Sequence, residues 1–181
     1  MSTTKYFTSD THFGHTNVIK YCDRPFANVE EMNEALIDNW NSVVRPGDLV
    51  YHLGDFAFIK DPEEYIKLIK SLNGQIHLVK GNHDRIDKKV VEYFASISNY
   101  KEIKDEEDGN LIVLSHYSHR VWNRSHRGSL MLYGHSHGEL PGCQQSLDVG
   151  VDAWDYKPVT LIEIKARMAT LGPIWVNHHG D

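Results

Sequence analysis

Three short strings carry the residues best suited to chemistry: Asp10-Thr11-His12, Gly81-Asn82-His83-Asp84 and Gly134-His135-Ser136-His137. Each follows an apolar run that reads as a β-strand, so each sets carboxylate, amide or imidazole groups just past a strand end. Two more candidates lie between them, Gly54-Asp55 after residues 49–53 and Ser115-His116 after residues 111–114. On an extended chain the side chains at i and i+2 share a face, so Asp10 with His12, and His135 with His137, can converge on one ion. One such pair alone is a common cap or turn feature. Five ordered segments, each behind an apolar strand, point instead to a metal site at the carboxyl edge of an open α/β sheet, and to hydrolysis with two metals.

The ligand types narrow the ions. Imidazole and carboxylate without thiolate suit Mn, Fe, Zn, Co or Ni rather than the all-oxygen cages of Ca or Mg, so two divalent ions are the expected cofactors, manganese the first candidate although the ligand types do not choose among the five. Charge sets what the site attracts. Asp10 and Asp55 contribute −2 and two divalent ions +4, a surplus of about +2, or about +1 with a bridging hydroxide. An anionic ester is drawn to that surplus and repelled without it.

The elements that position these residues are legible from periodicity and punctuation. A strand over 6–9 leads past Gly14 into a short helix over 16–21, ended by the extended Arg24-Pro25 dipeptide. Asn28 caps a helix with Glu31 as capping-box partner, and Val29, Met32, Leu36, Trp40 and Val43 form its core stripe. Asp61-Pro62-Glu63-Glu64 opens another helix, residues 75–80 form a strand, and residues 88–94 are expected to return as a helix. The second half is richer in strands: a hairpin turn at 105–110, strands near 129–133 and 146–151, and a strand at 174–176. Pro158 and Thr160-x-x-Glu163 signal a late helix.

With 181 residues, 40% of them hydrophobic, the chain can bury one substantial core, and a single domain over residues 1–181 is expected. Its net charge of −6 argues against sequence-independent capture of an extended nucleic acid. No segment approaches about 18 consecutive apolar residues and the amino terminus lacks a signal-peptide run, so a cytoplasmic protein without a membrane partner is expected. Cys22 and Cys143 stand far apart and read as idle thiols.

The order Asp-x-His, Gly-Asp, Gly-Asn-His-Asp, His, Gly-His-x-His, present as DTH, GD, GNHD, SH and GHSH over residues 10–137, resembles the calcineurin-like metallophosphoesterase family. The stretches DTHFGHTNVIKYCDRPF and VWNRSHRGS are similar to a small, cap-less bacterial and phage branch of it. The resemblance implies an α/β fold with two β-sheets packed as a sandwich and flanked by helices. It implies that Asp10, His12 and His137 hold one metal, that Asp55 bridges, and that Asn82, His116 and His135 complete the other. His83 is then the general acid for the leaving alkoxide, with Asp84 orienting its ring, and a water bridging the metals attacks phosphorus.

The implied substrate is a small phosphodiester or phosphomonoester, nucleotide-derived esters included. A nuclease acting on single strands and a non-catalytic scaffold of the same fold are the alternatives. Substrate contacts are less determined. His15 is either a substrate contact or a helix-start histidine, and Arg24 either a turn residue or a phosphate contact. Residues 116–137 hold Arg120, Arg124 and Arg127 without an acid. That run is either a solvated loop or a substrate-facing one in which arginines pair with phosphate and Trp122 or Tyr117 stacks on a base. His52 and His77 lie inside strands and read as packed, and His178-His179 as an ordinary terminus.

Overall fold

The computed structural model describes residues 3–173. In chain order these form β1 (Lys5–Thr8), α1 (Thr16–Tyr21), α2 (Val29–Val43), β2 (Leu49–His52), α3 (Pro62–Ser71), β3 (Gln75–Val79), β4 (Ser96–Ser98), β5 (Lys101–Lys104), β6 (Leu111–Leu114), β7 (Leu130–Tyr133), β8 (Ser146–Asp148), β9 (Val159–Thr160) and α4 (Leu161–Met168), with three short 3₁₀ turns between them. One sheet has the order β4-β3-β2-β1-β9, parallel except for β9; the other has the order β5-β6-β7-β8, parallel except for β5. This is the α/β arrangement of two mixed sheets with flanking helices expected from the sequence.

Period-2 alternation explains the layering. In the first sheet Val50, Ile76 and Leu78 face α2 and α3, where they meet Met32, Leu36, Trp40, Tyr65 and Leu68. Phe7, Tyr51 and Val79 face the other way, against Ile112, Leu114, Leu130 and Leu132 of the second sheet, and Ile164 and Met168 of α4 close that core. Val113, Met131 and Tyr133 on the outer face of the second sheet are covered by Trp122 from the loop after β6.

The helix starts follow their caps. Asn28 Oδ1 accepts from the Glu31 amide at 2.9 Å, Asp61 precedes Pro62 at the head of α3, and Thr160 with Glu163 forms a complete capping box on α4. The helix expected over 88–94 is replaced by turns and a 3₁₀ turn at Val91–Tyr93. Only i→i+3 bonds form there, Val90 to Asp87 and Phe94 to Val91, before the Ala95 amide joins the Ile76 carbonyl at 2.8 Å and leads the chain into β4. The strand expected at 174–176 and His178-His179 lie outside the described residues. Among the described residues no helix is long and apolar enough to cross a membrane.

Leu132 is fully buried in the inter-sheet core. Leu132→Ala should cost about 2–5 kcal/mol, read as a lower urea midpoint at unchanged m-value.

Candidate metal centre

The loops leaving the two sheets are stitched together at their carboxyl edges. After β1 and β2 the chain runs side by side: the amides of Asp10, His12 and Phe13 donate to the carbonyls of Gly54, Asp55 and Phe56 at 2.9, 3.0 and 3.0 Å. From the second sheet the His135 amide donates to Asp10 Oδ2 at 2.8 Å. The Gly134 amide donates to the His116 carbonyl, and the Val151 amide to the Ser9 carbonyl, both at 3.0 Å.

Three groups of donor atoms result among the described residues; one of them, Cys22 with His137 and Asp152, shares His137 with the group built on Asp10. Asp10, His12 and His137 offer one set and Asp55, His116 and His135 another, the atoms of each lying within 4.8 Å of one another. Asp55 Oδ2 stands between the sets, 3.7 Å from His12 Nε2 and 3.6 Å from His116 Nε2. Asn82 Oδ1 joins the second set at 2.9 Å from His116 Nε2. Asp10 Oδ1 and both ring nitrogens of His12 are buried without a hydrogen-bond partner among the described residues. Buried polar atoms normally have partners, and a cation satisfies this convergence of lone pairs. The residues present therefore fit two divalent ions.

The backbone is strained to make this arrangement. Asp10, His12, Asp55, His135 and His137 all have left-handed φ, between 47° and 67°, a conformation that costs a non-glycine residue about 1–2 kcal/mol and clusters at functional sites. Glycines stand where side chains would collide with the site. A Cβ on Gly81 would overlap the Asp55 carboxylate, and one on Gly134 would overlap Ser9 and Asp10.

Outer partners fix which ring nitrogen faces inward. His116 Nδ1 donates to the Leu53 carbonyl at 2.8 Å, and His137 Nδ1 bonds Asp152 Oδ2 at 2.7 Å, leaving each Nε2 toward the site. Asp152 is in turn held by Arg24, whose Nε and Nη2 donate to its two oxygens at 2.7 and 2.9 Å. Asp148 accepts from Ser136 Oγ, the Gly138 amide and the Gly150 amide and so shapes the His135–His137 loop.

Three expectations need correction. Arg24 is only 4% exposed and gives its remaining donors to the carbonyls of Thr11 and Asp10 at 3.0 and 2.7 Å; it braces the first loop and has no donor left for phosphate. Trp122 is buried under the second sheet with Nε1 on the Ser129 carbonyl, so it does not stack on a base. Asp84 does not orient the His83 ring. Its oxygens accept from the backbone amides of Asp55, Phe56 and Gly81, fixing the two ligand-bearing loops against each other.

His83 itself is exposed. Its amide donates to Asp55 Oδ1 at 2.9 Å, and its ring lies 4.9 Å from Phe58 and 6.0 Å from His12. A cavity of about 560 Å³ opens here, with His12, His15, Tyr21, Phe58, His83 and His137 in its walls. His15 stacks on Phe58 at 3.9 Å and makes no cap hydrogen bond, so it faces the cavity rather than the helix end. Tyr117 packs its ring 4.7 Å from His135. Arg120 and Arg124 are exposed on the loop after β6, with no side-chain ion pair or hydrogen bond among the described residues. His52 and His77 are packed as expected, bonded to Thr11 and Ser96 at 2.9 and 2.8 Å. Asp148 and Asp152 were not singled out by sequence; Asp148 ends β8 without the apolar run that precedes the other strings.

Burial dominates the electrostatics. It pushes the Asp10 carboxyl up to about 8, Asp148 adding and His137 opposing, and holds His12 down to about 2, with His137 and Arg24 adding. Burial also lowers His135. At His137 burial is outweighed by hydrogen bonds to Asp152 and Cys22, and the imidazole rises to about 10. Burial raises the Asp84 carboxyl against its three amide bonds.

A family model described as the calcineurin-like phosphoesterase superfamily domain matches residues 6–149. The chain is 40% identical over 166 residues to an uncharacterised protein of Methanocaldococcus jannaschii, covering 86% of each. It is 29% identical over 181 residues to the gene 66 protein of Mycobacterium phage L5, covering 82% of this chain and 86% of the phage protein. Among solved structures, a protein of unknown function from Aquifex aeolicus superposes with a TM-score of 0.74 at 30% identity, over 92% of this chain and all of that one.

Arg24→Ala leaves Asp152 buried with His137 as its remaining partner and should cost up to about 3–5 kcal/mol. Arg24→Lys should recover only part of this, because an ammonium cannot make the two-pronged contact; urea denaturation compares the two. His52 gives a pH prediction. Burial, aided by His116, holds it down to about 3, whereas an unfolded histidine takes its proton near 6.5. Its contribution to stability is complete above about pH 6.5 and is lost as pH falls toward 3. NMR of its ring should show no titration between about pH 8 and about pH 4.5.

Proposed function

The chain belongs to the calcineurin-like phosphoesterase superfamily, and on that premise we propose that it hydrolyses a small phosphodiester or phosphomonoester, nucleotide-derived esters among them. The observation that carries the reading is the pair of donor sets with Asp55 between them. Asp10, His12 and His137 would hold one ion, Asn82, His116 and His135 the other, and Asp55 both, with manganese the first candidate and Fe, Zn, Ni and Co the others. Two such ions, when bound, supply Lewis-acid charge for the phosphoryl oxygens and an acidified water.

The chain's own residues do the rest. His83 is the candidate general acid: it is exposed at the cavity, its amide bond to Asp55 fixes where it stands, and no ligand role is needed from it. Protonating the leaving oxygen there is worth about 10²- to 10⁴-fold in rate. Asp84 serves as a positioning residue through the Asp55 and Gly81 amides. His15, Phe58 and Tyr21 form an aromatic wall beside the first donor set, suited to a planar group on the ester.

The test is an aryl phosphodiester and an aryl phosphate offered to metal-stripped protein with each ion added back. Hydrolysis with at least one ion is expected; none with any ion sinks the proposal. His83→Ala should keep both ions by elemental analysis while kcat falls about 10²- to 10⁴-fold, most for poor leaving groups. Loss of metal in that variant would make His83 a ligand instead.

A further inference from the structure

We propose that a second cavity, adjoining His83, is an anion subsite that binds a phosphate group carried on the leaving side of the ester. The inference rests on the phosphoesterase reading above and adds a substrate class to it: esters whose leaving alcohol bears a further phosphate.

The cavity measures about 560 Å³, and its walls include Lys60, Lys80, Arg85, Tyr65, Asp84 and Asp87. The three cations make no ion pair or side-chain hydrogen bond among the described residues. Elsewhere Lys5 pairs with Glu106, Arg24 with Asp152 and Lys165 with Asp105, whereas Arg120 and Arg124 on the loop after β6 are, like these three, unpaired among the described residues. In a chain with 25 acidic and 19 basic residues, three unmatched cations around one hollow are a local reversal of charge.

Against the three cations, the two acids leave a formal surplus of one positive charge. Asp84 turns both oxygens inward to three backbone amides, and Asp87 Oδ1 accepts from the Lys89 amide at 2.8 Å.

Tyr65 borders the hollow from the core side; its hydroxyl is buried, so the cations supply the recognition. Three cationic groups suit a phosphate dianion.

Position gives the subsite its meaning. Its walls continue the segments that carry the candidate acid: Asp84 and Arg85 follow His83, and Ile59 and Lys60 follow Phe58, whose ring packs 4.9 Å from His83. A general acid stands beside the leaving oxygen, so what lies past His83 is the remainder of the leaving group.

Two measurements on the full chain loaded with zinc decide the matter. In the first, inorganic phosphate is titrated while backbone amides are followed by NMR. Resonances of Tyr65 and Ile86 should move with a saturation distinct from those near His135. The Lys60→Gln/Arg85→Gln double variant should abolish that binding.

In the second, diphenyl phosphate is compared with its analogue carrying a phosphonomethyl group on one phenol. The analogue should have a KM about tenfold lower, and the double variant should collapse that ratio toward one. Movement confined to the residues near His135, or an unchanged ratio in the double variant, overturns the subsite. If neither ester is hydrolysed with any ion, the phosphoesterase reading falls, while the phosphate titration still decides whether the cavity binds an anion.

Discussion

The structure turns on one conformational demand: the chain must leave its parallel strands through left-handed residues that are not glycine. Asp10, His12, Asp55, His135 and His137 all do so. At about 1–2 kcal/mol each, such turns persist only where the surroundings over-determine them. Here they are clamped by loop-to-loop bonds, Asp10 to Gly54 and His12 to Asp55 within the first sheet and His135 to Asp10 across the two sheets. Parallel strands supply the register for those bonds, because all the loops emerge on one edge. The two-sheet core, with Phe7, Tyr51 and Val79 packed on Leu114 and Leu132, holds the two sets of loops at one separation.

The carboxylates divide their work accordingly. Asp10 and Asp55 turn oxygens into the site, whereas Asp84, Asp148 and Asp152 turn theirs onto amides, a hydroxyl, an imidazole and a guanidinium. Each of these three fixes a segment that bears a member of the two donor sets. Asp84 ties the Asp55 loop to Gly81, Asp148 shapes the loop of His135 and His137, and Asp152 sets the His137 ring. Burying Arg24 with Asp152 is favourable because every guanidinium donor finds an acceptor.

Local rules made much of this legible in sequence. The caps at Asn28, Asp61 and Thr160 act within one helical turn, and strands such as 111–114 announce themselves by composition. The residues of the donor sets were legible because strand-end strings repeat. What escaped has a common cause: it depends on partners remote in the chain. Arg24 meets Asp152 across 128 positions, so nothing near Arg24-Pro25 distinguishes a brace from a phosphate contact. Trp122 looks like a stacking platform in a basic loop until Met131 and Tyr133 are seen to need a cover. Asp84, adjacent to His83, invites a pairing that the nearer amides of Asp55 and Gly81 pre-empt.

Charge links the centre to its surroundings. Without cations burial raises Asp10 toward its neutral form and keeps His12 neutral, while the charge of His137 is met by Asp152, so the donor sets offer a phosphate ester no positive surplus. Substrate affinity at the centre is therefore coupled to cation occupancy by simple electrostatics, each ion shifting the local charge by two units. The hollow bounded by Lys60, Lys80 and Arg85 is under no such control, because its charge is covalently part of the chain. An ester with a second phosphate would be drawn first by permanent charge and then by the metal centre, with His83 between the two attractions. Such an arrangement biases the orientation of the ester before the reacting phosphorus is engaged, since only one end of the molecule matches the fixed cations.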